Sequence, residues 1–268
     1  PSGKWVISFQ PWEHLGEFVR SCQLYRLLQV LKARQLGITW ALAGIALHEA
    51  IFNEGANILI LSKGELEATE VLARCKLMHR LLPDEYRLSL GIGGATKMSF
   101  PAMDSQILAL PATEDAGRTQ AASLVICDEW DFHPYAESNY AAVKPTIDAG
   151  GRFIGVSTSD KGKINSFFKK LWRLGSESGF HQMFMGWRLR PGRDGDWYER
   201  TKKSYPDVMK WEQEYPTTAE EALSPSQGEC YFDIETLKQL LGTALTIPSG
   251  IYKKPVRTRR YGAWIDPA

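Results

Sequence analysis

Lys32-Ala-Arg-Gln-Leu-Gly-Ile-Thr39 follows the apolar run Leu27–Leu31 and opens a stretch of helical character. Phosphate-binding loops of the form G-x-x-x-x-G-K-S/T wrap phosphate oxygens in backbone N–H groups, with the lysine on the β/γ oxygens and the hydroxyl on Mg²⁺. In that frame Gly37 and Thr39 stand in place, Ile38 occupies the lysine position, and Lys32 stands where the first Gly belongs. A lysine at the start of the loop can still fold back over the phosphates, because it is a point charge on a flexible stem. Further along, Asp128 and Glu129 end the apolar run Ser123–Cys127. One carboxylate there can organise Mg²⁺ while its neighbour orients and polarises an attacking water. Taken alone, the same pair is also an ordinary polar turn after a buried strand. A third cluster, Ser157-Thr158-Ser159, follows Arg152–Val156. Its hydroxyls suit either sensing of a γ-phosphate or of the carboxylate, or the capping of a helix.

The elements that must carry these residues alternate. Short apolar runs at Leu27–Leu31, Asn57–Ser62, Ser123–Ile126 and Arg152–Val156 predict buried strands. Trp40–Phe52, and a face containing Ala68, Val71, Leu72 and Cys75 that Pro83 ends, predict helices between them. Residues 95–110 carry two β-like runs around Pro101–Asp104 and predict a hairpin. Such alternation favours an α/β fold, a mainly parallel sheet covered by helices. Phosphate loop, Asp-Glu strand and hydroxyl-tipped strand, in that order, fit an additional-strand P-loop ATPase core. After residue 180 the pattern loosens into a Trp- and Tyr-rich stretch, with one helix expected over Tyr198–Tyr215 and a basic linker near 247–260. No internal repeat is visible.

With 268 residues, 44% hydrophobic and 24% charged, the composition is that of a globular chain. A formal net charge of +1 gives no overall field to recruit nucleic acid, so duplex contact would fall to local clusters. Two are candidates: Lys161, Lys163, Lys169, Lys170 and Arg173, and then Lys253, Lys254, Arg257, Arg259 and Arg260. Trp172, Trp187, Trp197 and Trp211 suit packing of a junction better than base stacking. Cys22, Cys75, Cys127 and Cys230 lack C-x-x-C spacing, and the five histidines lack metal-ligand spacing. Buried thiols in a reducing compartment are expected, with no membrane span and no signal peptide. The chain begins without Met and stops just after an apolar stretch, which reads as a piece of a longer protein.

Four strings in fixed order, Lys32–Thr39, Ala116–Phe132, Gly155–Ser159 and Glu214–Ala222, resemble the large terminase subunit of tailed bacteriophages. The resemblance implies a RecA-like ATPase core over 1–180 and a lid or linker segment over 181–246. Residues 247–268 would then be a linker and the first strand of an RNase H-like nuclease. By position, Lys32, Arg34, Gln35, Gly37, Ile38 and Thr39 would bind nucleotide, with Gln10 of Phe9-Gln-Pro-Trp12 reading the base. Thr39 and Asp128 would hold Mg²⁺, Glu129 would be the catalytic carboxylate, and Arg118 an arginine finger on a neighbouring subunit's ATP. Ser157, Thr158 and Ser159 would couple hydrolysis to movement. Asp266 would be the first nuclease metal ligand of an incomplete site, so no nuclease activity is expected. The resemblance further implies translocation of double-stranded DNA into a procapsid, ring self-assembly, portal-protein and small-subunit partners, and the host bacterial cytoplasm. Two other readings stay open. Asp128-Glu-Trp-Asp131 also reads as the D-E-x-D of half a superfamily 2 helicase, and a nucleotide-gated assembly module would bind ATP without hydrolysing it.

Overall fold

The computed structural model describes residues 9–114, 116, 121–225 and 239. The chain divides after Ser226 into two compact units, and every element named here belongs to the first. Seven strands form one sheet: β1 Leu27–Lys32, β2 Asn57–Ser62, β3 Lys97–Phe100, β4 Ser105–Pro111, β5 Leu124–Asp128, β6 Arg152–Ser157 and β7 His181–Met185. Their spatial order is β3-β4-β2-β5-β6-β1-β7, and every pairing is parallel except that of β3 with β4. That exception is the expected hairpin.

Parallel strands need helical crossovers, and the crossovers bury both faces of the sheet. Ile58, Ile60, Leu124, Ile126, Ile154 and Val156 face one core with α1 Glu13–Leu24, α2 Ile38–Phe52 and α3 Glu65–Leu81. Leu59, Leu61, Val125, Cys127 and Phe153 face the other with α4 Ala136–Asp148 and α5 Phe167–Arg173. The strict two-residue alternation between these sets is the pleat, and each fully buried Leu or Ile adds roughly 1.5–3 kcal/mol. Gly155 on β6 is required by this packing, since a Cβ there would lie 2.1 Å from the Trp130 ring.

The strand that carries the hydroxyl cluster, β6, sits between the phosphate-loop strand β1 and the carboxylate strand β5. That is the additional-strand arrangement expected from the sequence. The sheet also reaches past the anticipated core boundary at residue 180, because β7 pairs with β1 from Leu28↔His181 to Lys32↔Met185. The single helix expected over Tyr198–Tyr215 is two, α6 Gly195–Ser204 and α7 Val208–Glu214. Pro206 cannot continue α6, and Asp207 starts α7 by accepting a hydrogen bond from the Met209 N–H at 2.9 Å. A last short helix, α8, spans Ala219–Leu223. Trp187, Trp197 and Trp211 pack with Tyr198, Tyr205 and Tyr215 into one aromatic cluster beside the sheet, as a junction would. No helix among the described residues is long and apolar enough to cross a membrane.

Candidate functional site

The loop between β1 and α2 is shaped by contacts from far along the chain. Ala33 N–H donates to Met185 O at 2.7 Å and Arg34 N–H to Glu214 O at 2.8 Å. Gln35 adopts φ 62° and Gly37 φ 81°. The left-handed turn at Gly37 is easy for glycine, whereas at Gln35 the surroundings must hold it. They do so through two arginines. Arg190 donates to Gln35 O and Oε1, and Arg193 donates to Arg34 O and to the same Oε1, at 2.9–3.1 Å. Arg193 lies over the rings of Trp197 and Tyr215, and burial followed by the nearby Arg190 charge brings its pKa down to about 10. After Gly37 the 15-residue α2 begins without a side-chain cap or an acid in its first turn. Its leading N–H groups therefore remain available for an anion.

Across the cleft, β5 delivers Asp128 and Glu129. Glu129 takes φ 54°, a conformation unusual for a non-glycine residue, and its Oε1 lies 3.0 Å from Lys32 Nζ. Thr158 N–H and Oγ1 both approach Glu129 Oε2 at 3.4 Å. Burial alone would raise the Glu129 pKa, but Lys32 and Thr158 more than offset it, and the carboxylate is held below its usual range. Burial likewise opposes the Lys32 charge, and the carboxylates of Glu129 and Asp128 more than restore it. Asp128 is the contrasting partner. Burial and the adjacent Glu129 charge push its pKa up to about 6, while its Oδ2 accepts from Thr39 Oγ1 at 3.1 Å. Its Oδ1 is buried with no partner. A hydroxyl that gives its proton to Asp128 keeps a lone pair for a hard cation, and the orphaned Oδ1 is an acceptor with nothing to accept. Thr39 and Asp128 thus fit a Mg²⁺ site with retained waters.

These groups line one cleft of about 560 Å³ at the carboxyl ends of the strands. Lys32, Arg34, Gln35, Thr39, Asp128, Glu129 and Thr158 all face it. Ile38 is buried in the core, leaving only its backbone to serve the loop. Ser157 stands behind, its Oγ accepting from Asp131 N–H at 3.0 Å, and Ser159 is buried with an unpartnered Oγ. Gln10 is exposed and does not line this cleft. Arg118 and Asp266 lie outside the described residues, as do Cys230 and the basic residues 253–260. A more apolar cavity of about 440 Å³ between α1 and α2 holds none of the loop or carboxylate residues.

Several participants carry no local sequence signal. Glu214 binds Arg34 through its side chain at 3.2 Å as well as through its carbonyl. Lys63, Glu67, Glu70 and Arg74 of the α3 side complete the cleft. His133, buried beside Asp128 O at 2.9 Å, is pushed by burial to a pKa of about 4. Two members of the first basic cluster are unavailable to DNA. Lys161 is buried, donating to Glu221 O and to Ser224 O, and Lys169 is buried on Asp160 O, Lys163 O and Asp131. Asp131, last residue of the D-E-x-D string, is spent on Ser166, Lys169 and the Asp160 N–H. It is an internal strut rather than a cleft residue.

No family model and no curated protein matches the sequence. Solved structures do match in fold. The large terminase ATPase domain of Thermus phage P74-26 aligns with a TM-score of 0.57 at 18% identity, covering 78% of this chain and 98% of that one. The full large terminase of a thermophilic bacteriophage aligns at 0.59 and 13% identity over 74% of this chain and 52% of its own. That of bacteriophage HK97 gives 0.52 and 15% over 90% and 50%. The thermophilic-bacteriophage terminase has been solved with ADP and with ATP-γ-S. The chain therefore spans about half the length of these last two terminases and has the RecA-like P-loop fold of phage large terminase ATPase domains.

Proposed function

We propose that this chain is the ATPase domain of a DNA-packaging motor of the large-terminase type, hydrolysing ATP with Mg²⁺ to drive double-stranded DNA. The observation that carries the reading is the pairing of Lys32 with Glu129 and of Thr39 with Asp128 across one cleft. A relocated lysine that belonged merely to a loop would have no reason to meet the carboxylate of β5. Nucleotide complexes of the thermophilic-bacteriophage terminase support the same assignment.

In this reading the loop N–H groups and the start of α2 cradle the phosphates, and Lys32 and Arg34 neutralise their oxygens. Thr39 and Asp128 would hold Mg²⁺, which supplies charge neutralisation on the phosphate oxygens when bound. Glu129, kept ionised by Lys32, accepts a hydrogen bond from the attacking water and then its proton. Thr158 touches the same carboxylate, so a change at Glu129 is felt at the end of β6 and in the loop toward α5. Arg118 would act on a neighbour's nucleotide within a ring, and the portal and small subunit would be the outside partners. The helicase reading loses support because Asp131 is buried away from the cleft.

Binding of ATP-γ-S, followed by calorimetry, tests the assignment of Lys32. Lys32→Ala is expected to weaken binding at least tenfold, while Ser178→Ala, away from the cleft, leaves it unchanged. Unaltered affinity in Lys32→Ala would remove this lysine from the phosphate site.

A further inference from the structure

Ser62 ends β2 and is 1% exposed, yet its Oγ has no hydrogen-bond partner. Buried hydroxyls are normally satisfied, and one left alone asks for a partner present in another state of the protein. Its surroundings indicate which. Strand β2 runs parallel to β5 with Leu61 opposite Cys127, so Ser62 lies one step beyond that pair, beside Asp128. Ile58 and Ile60 share a core with Leu124 and Ile126, and the two-residue period sets Ser62 and Asp128 on that same face. This is also the face from which Thr39 of α2 reaches Asp128 Oδ2. Asp128 Oδ1, on the neighbouring strand end, is the other buried atom there without a partner. Both residues line the cleft. Glu129 turns the opposite way, toward Lys32 on β1 and Thr158 beyond β6. Ser62 therefore belongs to the Thr39–Asp128 side and not to the side of the attacking water.

We propose that Ser62 is a positioning residue for the divalent ion, its Oγ and Asp128 Oδ1 accepting the two protons of one water in the ion's hydration sphere. Mg²⁺ dehydrates reluctantly and keeps several waters, and a water held by two fixed acceptors bridges almost as well as a direct bond. The inference rests on the reading of the cleft as a Mg²⁺-nucleotide site.

The test is a Mg²⁺ titration of ATP-γ-S binding to the 268-residue chain, comparing wild type, Ser62→Ala and Ser62→Thr, with Thr39→Ala as a site control. Ser62→Ala should need about fivefold more Mg²⁺ for half-saturation, the effect of losing one hydrogen bond. It should bind ATP-γ-S in EDTA as wild type does, and should melt no lower, because the hydroxyl it removes has no partner in the protein. Ser62→Thr, which keeps the hydroxyl, should recover the wild-type Mg²⁺ response. An unchanged Mg²⁺ requirement in Ser62→Ala beside a responsive wild type overturns this inference alone. Equal weakening with and without Mg²⁺, together with a lower Tm, also overturns it and marks the hydroxyl as structural. A wild type indifferent to Mg²⁺ removes both the inference and the reading beneath it.

Discussion

Lys32 serves two partners in turn. In this structure its charge is satisfied by Glu129 at 3.0 Å, and an entering γ-phosphate would compete for the same ammonium. Removing the lysine consequently does two things: it takes a cation from the phosphates and strands a largely buried carboxylate, a loss of about 1–3 kcal/mol. The double variant Lys32→Ala/Glu129→Gln should regain most of that stability in urea denaturation while still failing to bind ATP-γ-S. Recovery of binding along with stability would show that Lys32 acts only through Glu129. A pH effect belongs to His133, whose folded pKa of about 4 lies below the ordinary histidine value of 6.5. The unfolded chain takes up this proton first as pH falls, so the contribution is complete above pH 6.5 and is lost toward pH 4. His133→Gln should flatten the acid limb of a stability-against-pH curve, and an unchanged limb would contradict the assignment.

At the scale of elements, β6 does most to define the site, because it lies between β1 and β5 and meets both. Gly155→Ala tests its fit. The new Cβ would enter the Trp130 ring, and overpacking of this kind costs about 1–3 kcal/mol or more, read as a fall in Tm. A Tm equal to wild type would mean that the ring moves freely aside. Apolar runs bounded by polar ends made β1, β2, β5 and β6 legible in the sequence, and the order of Lys32, Asp128 and Ser157 along them made the cleft legible too. The break between α6 and α7 had its signal in Pro206 and Asp207. The clasp on the phosphate loop had none, since Arg190 and Gln35 are separated by 155 residues. Nor could the sequence tell exposed from buried lysines: Lys161 and Lys169 look solvated in a basic run and instead tie backbone carbonyls together. Lys161→Met should expose this through a loss of roughly 1–3 kcal/mol in urea, as the carbonyls of Glu221 and Ser224 lose their donor.

For the whole molecule, a net charge of +1 leaves duplex binding to local geometry. Of the first basic cluster only Lys163, Lys170 and Arg173 are exposed. If these meet phosphates, replacing all three by alanine should reduce the slope of log affinity against log salt by about 2–3, near 0.9 for each phosphate no longer neutralised. An unaltered slope would move the DNA path to another face. The central claim, however, is hydrolysis, and it is tested most directly by phosphate release from ATP in Mg²⁺ and in EDTA, across a protein-concentration series, for wild type beside Glu129→Gln. The account predicts turnover that needs Mg²⁺, rises faster than linearly with concentration, and disappears in Glu129→Gln while ATP-γ-S still binds. Equal release from both proteins, or bound ATP that wild type never cleaves at any concentration, would contradict it.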